Sequence, residues 1–313
     1  MNNPSPWTAE FSIDASLAKA LVEEQFPSLR PASLELIGEG WDNLVFRVNG
    51  DFLFRFPRRK LGVELIQNEA VLLPKIQPRL LLPIPQVLFQ GKPTDAYPWP
   101  FLGYQYLTGV TACKTHLNTE ERHQLAPILG RFLKSLHQIS EAEATSLGAI
   151  PDALGRLDLA KRIPATLDYL NQVKTLGLVE NLDPYLSIVE QTRSLEGKLL
   201  ASRPKSLLHG DLYIRHLMID SNRTLCGIID WGDVHVGDPA LDLQVVFTVL
   251  PKEAHPAFFE AYGPVSDETW TLARFRGLFS TYVSTVYANA IGDQDLLTEG
   301  KLSLKYIAQL VTK

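Results

Sequence analysis

The sequence predicts an α+β chain in two parts, a small strand-rich amino-terminal part and a larger helical part carrying one buried β-hairpin. Three observations lead there. Up to residue 107 the apolar residues come in short runs broken by glycine, proline and Asn49-Gly50, the mark of strands joined by tight turns. Beyond Leu107-Thr108-Gly109 they recur at helical spacing over long stretches. Inside that helical part, Leu217–Asp220 and Leu225–Asp230 are two apolar runs split by a Ser221-Asn222 turn. The boundary therefore falls between residues 1–107 and 108–313.

Ser12 to Phe26 reads as an amphipathic helix closed by Pro27, since the residue before a proline avoids the helical region. Strands follow at Leu34–Ile37, Leu44–Val48 and Phe52–Phe56, with Asn49-Gly50 turning the last two into a hairpin. Val63–Ile76 is helical, with Pro74 bending or ending it, and extended pieces lie near Pro85–Phe89 and Pro100–Leu107. Asn118 and Glu121 have capping-box spacing, ahead of a helical repeat from Leu125 to Ile139. Further helices are expected around 153–173, 183–202, 240–250 and 267–291; Asp238-Pro239 starts the third of these as cap and first helical residue.

Composition narrows the function. At 313 residues, 45% apolar and 21% charged, the chain is an ordinary globular protein. A net charge of −5 offers no basic field for nucleic acid or an anionic membrane. Two distant cysteines, Cys113 and Cys226, make neither a disulfide framework nor a zinc site. The start lacks a signal-peptide pattern and no apolar run could span a bilayer, so a cytoplasmic location is expected.

The chemistry concentrates between Leu207 and Leu243. His209-Gly210-Asp211 sets a carboxylate on a loop after an apolar strand; His216 opens the hairpin and Asp230 closes it, with Gly232 allowing the turn. Such a hairpin brings His216 and Asp230 together near Asp211, two potential metal ligands beside one potential base. Phosphoryl transfer needs that set: a base orients a hydroxyl while a metal bridges the phosphates.

These residues, His-Gly-Asp, the five-residue step to His216, Ile-Asp-Trp and Gly-Asp-Pro-Ala-x-Asp-Leu, resemble the aminoglycoside phosphotransferase family, which includes the macrolide phosphotransferases. The resemblance implies a bilobal, protein-kinase-like fold: residues 1–107 as nucleotide-binding lobe, 108–313 as catalytic and substrate-binding lobe. It implies Asp211 as catalytic base, His216 and Asp230 as ligands of Mg2+, and ATP or GTP as donor. Gly38-Glu39-Gly40-Trp41-Asp42-Asn43 looks like the nucleotide loop, so Gly38, Gly40 and Asn43 are assigned to the nucleotide. Arg55 stands where the family has a phosphate-pairing lysine, and Glu69 resembles the helix glutamate that holds that cation. Gln105 and Leu107 lie in the hinge-like stretch; Val45, Met218 and Ile229 would wall the base. His209, Asp238 and Asp242 are expected to support the loop, and His137 to pack in the core.

Two departures stand out: arginine for lysine at 55 and histidine for asparagine at 216, the second shared by the macrolide branch. Asp233 and Arg215 have two readings each, metal or substrate for the first, phosphate or a surface carboxylate for the second. Trp270, Phe275, Phe279 and Tyr282, at helical spacing, have two readings, the lining of an apolar acceptor pocket or core, and core is the commoner for such a stripe. The acceptor stays open between an antibiotic, aminoglycoside or macrolide, and a hydroxyl metabolite. The rival from another class is a regulatory nucleotide-binding module without catalysis.

Overall fold

The computed structural model describes residues 9–40, 42–197 and 203–309. Two compact units emerge, one of residues up to 78 and 83–108, the other of residues 79–82 and 109 onward.

In the first unit, helix α1 (Ala15–Gln25) is capped by Asp14, whose carboxylate accepts the Leu17 amide at 2.8 Å. Strands β1 (Leu34–Glu39), β2 (Asn43–Val48), β3 (Phe52–Pro57), β4 (Val87–Gly91) and β5 (Phe101–Gln105) form one antiparallel sheet in the order β1-β2-β3-β5-β4. The Asn49-Gly50 hairpin forms, both residues having positive φ, and pairs Phe46 with Phe54 and Val45 with Arg55. Period-two alternation then sorts the faces. Phe46, Phe54, Phe56 and Phe101 join Leu21 and Val22 of α1 in one buried cluster. Arg55 lies on the other face with helix α2 (Lys60–Ile76). Pro74 sits in the last turn of α2 without ending it. Trp41, in the glycine loop, lies outside the described residues.

The second unit contains β6 (Val110–Thr111), β7 (Ser206–Leu208), β8 (Leu217–Ile219), β9 (Leu225–Ile228) and β10 (His235–Gly237). Its helices are α3 (Thr119–His137), α4 (Glu141–Leu147), α5 (Leu159–Thr175), α6 (Asp183–Arg193), α7 (Ala240–Val249), α8 (His255–Tyr262), α9 (Asp267–Ile291) and α10 (Gln294–Gln309). The expected capping box forms reciprocally, Asn118 and Glu121 each taking the other's amide. Every residue of α7 is buried, as befits a helix apolar on all sides at the centre of its unit.

Several expectations need correcting. The β8–β9 hairpin is not alone, since β6 pairs with β8 and a separate β7–β10 pair precedes α7. Helix α5 starts at Leu159 rather than near 153, because the Asp152 carboxylate takes the amides of Leu154 and Arg156 in a turn and Asp158 caps the helix. Helix α6 ends at Arg193; residues 198–202 of the longer expected helix lie outside the described residues. Helices α4, α8 and α10 had no expectation; α4 and α8 are seven and eight residues long, too short to show a periodicity.

Arg122 of α3 is 1% exposed and holds both carboxylate oxygens of Glu299 on α10, at 2.7 and 2.8 Å, with its other donors on the carbonyls of Leu117 and Val249. Glu299→Ala, which strands a buried guanidinium, is expected to cost about 3–5 kcal/mol in urea unfolding, and Arg122→Met with Glu299→Leu to recover most of it.

Candidate functional site

The catalytic-loop candidate begins where β7 ends. Gly210 has φ 87°, and a Cβ there would meet the carbonyl oxygen of Asp233 at 2.2 Å, so only glycine fits. The Asp242 carboxylate on the first turn of α7 accepts the His209 amide at 2.7 Å and the Gly210 amide at 2.9 Å. Burial alone would raise the Asp242 pKa; the His137 hydrogen bond, the nearby imidazoles and the backbone donors outweigh it, leaving the carboxyl below its usual range. Asp242 is thus a fixed anion beneath the loop, as the expected support.

His209 is fully buried, which pushes its imidazole below the ordinary pKa and keeps it neutral. Its partners set the tautomer: Nε2–H donates to the carbonyl of Ile229 at 3.0 Å, and Nδ1 accepts the Asp211 amide at 3.3 Å. His209 therefore ties the loop to the end of the hairpin. Trp231 packs its ring 4.8 Å from His209 and donates to the carbonyl of Ile228.

Asp211, His216 and Asp230 do converge. His216 ends a 3-10 turn immediately before β8, and its Nδ1 donates to the Asp211 carbonyl at 2.8 Å. That bond leaves Nε2 facing Asp230 Oδ2 at 3.2 Å. Burial alone would lower the His216 pKa, but the Asp230 carboxylate and then Asp211 raise it above the ordinary value. Asp211 has its own pKa raised, first by withdrawal from bulk water, although its side chain keeps 37% exposure. The left-handed residue after β9 is Asp230, φ 63°, rather than Gly232. That backbone turns its carboxylate, 47% exposed, towards the imidazole.

Could these residues hold Mg2+? Among the described residues no group of three or more His, Cys, Asp or Glu forms a ready-made cage. A carboxylate opposite a nitrogen whose other ring position is already spoken for is a two-ligand site, and Mg2+ commonly takes one or two protein ligands with phosphates and water completing the shell. The donor set fits.

In the first unit, Arg55 Nη1 meets Glu69 Oε1 at 2.6 Å, and the Tyr104 hydroxyl donates to Glu69 Oε2 at 2.8 Å. Glu69 is fully buried and Arg55 12% exposed at its side chain, so the guanidinium is held from behind with its charge retained. Gly38 and Gly40 lack positive φ; a Cβ on Gly38 would meet nothing, and one on Gly40 only the Asn43 carbonyl oxygen at 3.6 Å. Their own fold does not require glycine. Asn43 is 7% exposed and its Oδ1 has no hydrogen-bond partner among the described residues. The hinge-like stretch is partly committed: the Gln105 amide donates to Gln86 and that of Tyr106 to Asp51, whereas Leu107 makes no backbone hydrogen bond among the described residues. Val45 is half-buried on β2. Met218 and Ile229 belong to the second unit, Met218 buried on β8.

Asp238 accepts the Ala240 amide at 2.9 Å and pairs with Arg203, but α7 begins at Ala240 with Pro239 in the cap position, one residue later than expected. His137 is more than core: its ring contacts the Tyr262 hydroxyl at 2.9 Å and Asp242 at 3.3 Å, joining the brace. It stands four residues after Leu133 on the same buried face of α3, and no local pattern sets it apart from a core histidine. Arg215 pairs with Asp293 at 3.8 Å, the surface-carboxylate reading. Asp233 is ion-paired with Arg156, which also holds Asp152. Arg156, Arg162 and Arg276 were missed; single arginines far apart in sequence carry no pattern.

The sequence matches the phosphotransferase enzyme family across residues 33–278. Of solved structures, a GDP complex of wild-type aminoglycoside 2'-phosphotransferase-IIIa superposes with a TM-score of 0.70 at 24% identity, covering 95% of this chain and 99% of that one. The GDP and kanamycin complex of APH(2")-IIia gives 0.68 at 26% identity, covering 93% and 98%. Macrolide 2'-phosphotransferase type I gives 0.61 at 20%, covering 95% and 98%. "Uncharacterized protein YcbJ" of Bacillus subtilis (strain 168) is 34% identical over 65 residues, so the match spans only 21% of that relative's length and 21% of this chain.

Asp242→Ala leaves two buried amides without an acceptor. The expected result is loss of hydrogen-exchange protection at His209 and Gly210 and a destabilisation of at least about 1–3 kcal/mol.

Proposed function

The chain belongs to the phosphotransferase enzyme family, and on that premise we propose that it transfers the γ-phosphate of ATP or GTP to a hydroxyl of a small molecule at Asp211. The observation that carries this reading is the convergence of three side chains: His216 bonded to the Asp211 carbonyl through Nδ1 and facing Asp230 through Nε2. GDP in two of the neighbours supports a purine nucleotide as donor. No helix among the described residues is long and apolar enough to cross a membrane, and a cytoplasmic location, where such nucleotides are abundant, belongs to the same proposal.

In the proposed step, the acceptor oxygen forms a bond to the γ-phosphorus as the bond from that phosphorus to the β–γ bridging oxygen breaks. The electron pair leaves on the nucleoside diphosphate, and the hydroxyl proton passes to an oxygen of Asp211. The raised pKa of Asp211 suits an acceptor of that proton. Most of the rate comes from position and charge rather than from covalent chemistry with the protein. Asp230, with His216 beside it, would hold Mg2+, which would supply neutralisation of the phosphate charge. In the first unit, Arg55 is fixed by Glu69 with its charge retained.

The structural neighbours include aminoglycoside and macrolide phosphotransferases, which supports an antibiotic hydroxyl as acceptor and antibiotic resistance as the physiological role. One observation favours a metabolite instead: two arginines over the ring of Phe279, Arg162 and Arg276, make no ion pair with a carboxylate among the described residues, and Arg276 feels the charge of Asp211.

The test is a search by mass spectrometry for a product about 80 Da heavier, one phosphoryl group, after incubation with nucleotide, Mg2+ and candidate acceptors. Asp211→Asn is expected to lower turnover at least about a thousandfold while nucleotide affinity stays within a few fold. Full activity in that variant would refute the role, and neither transfer nor Mg2+-dependent nucleotide hydrolysis in the unsubstituted protein would favour a regulatory nucleotide binder.

A further inference from the structure

Three arginines gather where α5 packs against α9, close enough for Arg156, Arg162 and Asp211 all to act on Arg276. Arg156 is neutralised twice, by Asp152 at 2.7 Å and by Asp233. Arg162 and Arg276 are not. Arg162 spends its donors on the carbonyls of Gly155 and Leu154, at 3.0 and 2.8 Å. Arg276 is 7% exposed, its Nε is buried without a partner, and it makes neither a hydrogen bond nor an ion pair among the described residues. Both guanidinium carbons lie over the ring of Phe279, 5.2 and 5.4 Å from its centroid.

The pair is tied to the catalytic loop. One turn along α9 from Arg276, Ser280 donates to the Gln244 side chain, and Gln244 donates to the carbonyl of Leu212 at 3.3 Å. Burial depresses the Arg276 pKa to about 10, with the fields of Asp211 opposing that and those of Arg156 and Arg162 adding to it. Arg276 in turn favours the ionised form of Asp211. An aromatic face offsets part of the cost of burying a guanidinium, but satisfies none of its donors. A charge kept out of water without a counter-ion costs several kcal/mol, and a planar fork of donors matches a carboxylate or a phosphate.

Resting on the phosphotransfer reading of Asp211, we infer that the acceptor carries an anionic group, a carboxylate or a phosphate monoester, which Arg162 and Arg276 bind while its hydroxyl reaches Asp211. A polyamine is the wrong partner. Asp211, the proposed base, is the carboxylate whose charge acts most on Arg276, and the others near the pair are committed, Asp152 and Asp233 to Arg156 and Asp158 to the cap of α5, so a polycation would meet two guanidinium groups with no carboxylate left for it there.

The experiment is ligand titration of the full chain by thermal unfolding with four probes, gluconate, glucose 6-phosphate, glucose and kanamycin, followed by the mass-spectrometric transfer assay on each. Gluconate or glucose 6-phosphate is expected to bind at least about tenfold more tightly than glucose, and kanamycin not at all. The arm that responds separates a carboxylate site from a phosphate site. Arg276→Gln and Arg162→Gln each weaken that anion about tenfold or more, and Arg276→Lys, which keeps the charge, recovers part of it. Anionic probes no better than glucose, kanamycin bound or phosphorylated in preference, or an anion preference untouched in all three variants would overturn the inference. Mg2+-dependent ATP or GTP hydrolysis by the unsubstituted protein is read separately. Its absence alongside intact anion binding sinks the phosphotransfer reading and leaves the anion site standing.

Discussion

The buried carboxylate of Asp242 is the constraint on which the second unit's chemistry depends. It takes two consecutive amides, those of His209 and Gly210, that no strand or helix would satisfy, and it is itself held by His137. A loop whose backbone donors point inward to one anion has little freedom left, so the next residue, Asp211, presents its side chain from a fixed base. Neutral His209 then carries the order across to Ile229 and so to Asp230. Asp211 and Asp230, nineteen positions apart in the chain, are located by one anchored network.

The first unit repeats the tactic with the charges reversed. Glu69 is buried and shared between Arg55 and Tyr104, so an anion in the interior fixes a cation on the sheet. The strand register supplies the rest: Arg55 is opposite Val45 on one side and Leu102 on the other, flanked by apolar side chains that strip water from it. Arginine suits this post because its charge is permanent and its planar fork matches the Glu69 carboxylate.

Much of this was legible in the sequence where chemistry and spacing coincide. Asn49-Gly50, the Asn118/Glu121 box and the span of α9 each follow from local rules. So does the grouping of His216 with Asp230, because a short hairpin leaves its two ends nowhere else to go. Other features arise only from tertiary packing. That His137 braces Asp242 depends on two helices meeting, and nothing around position 137 marks it. The left-handed conformation after β9 was assigned to the glycine, the residue that adopts it most freely, yet it falls on Asp230 because the hairpin closes two residues earlier. The arginines of α5 and α9 are scattered in sequence and meet only through Phe279. The shift of α5 from 153 to Leu159 reflects Asp152 diverting two amides into a turn, a choice that propensity alone does not reveal.

The left-handed backbone at Asp230 also bears on how such a chain would age if selection on its activity lapsed. Most side chains there would pay for the conformation, whereas asparagine and glycine would not. Drift at this position is therefore channelled: loss of the carboxylate would come first as asparagine or glycine, with the fold intact. A descendant carrying leucine or valine at 230 would have to rebuild the end of the hairpin as well.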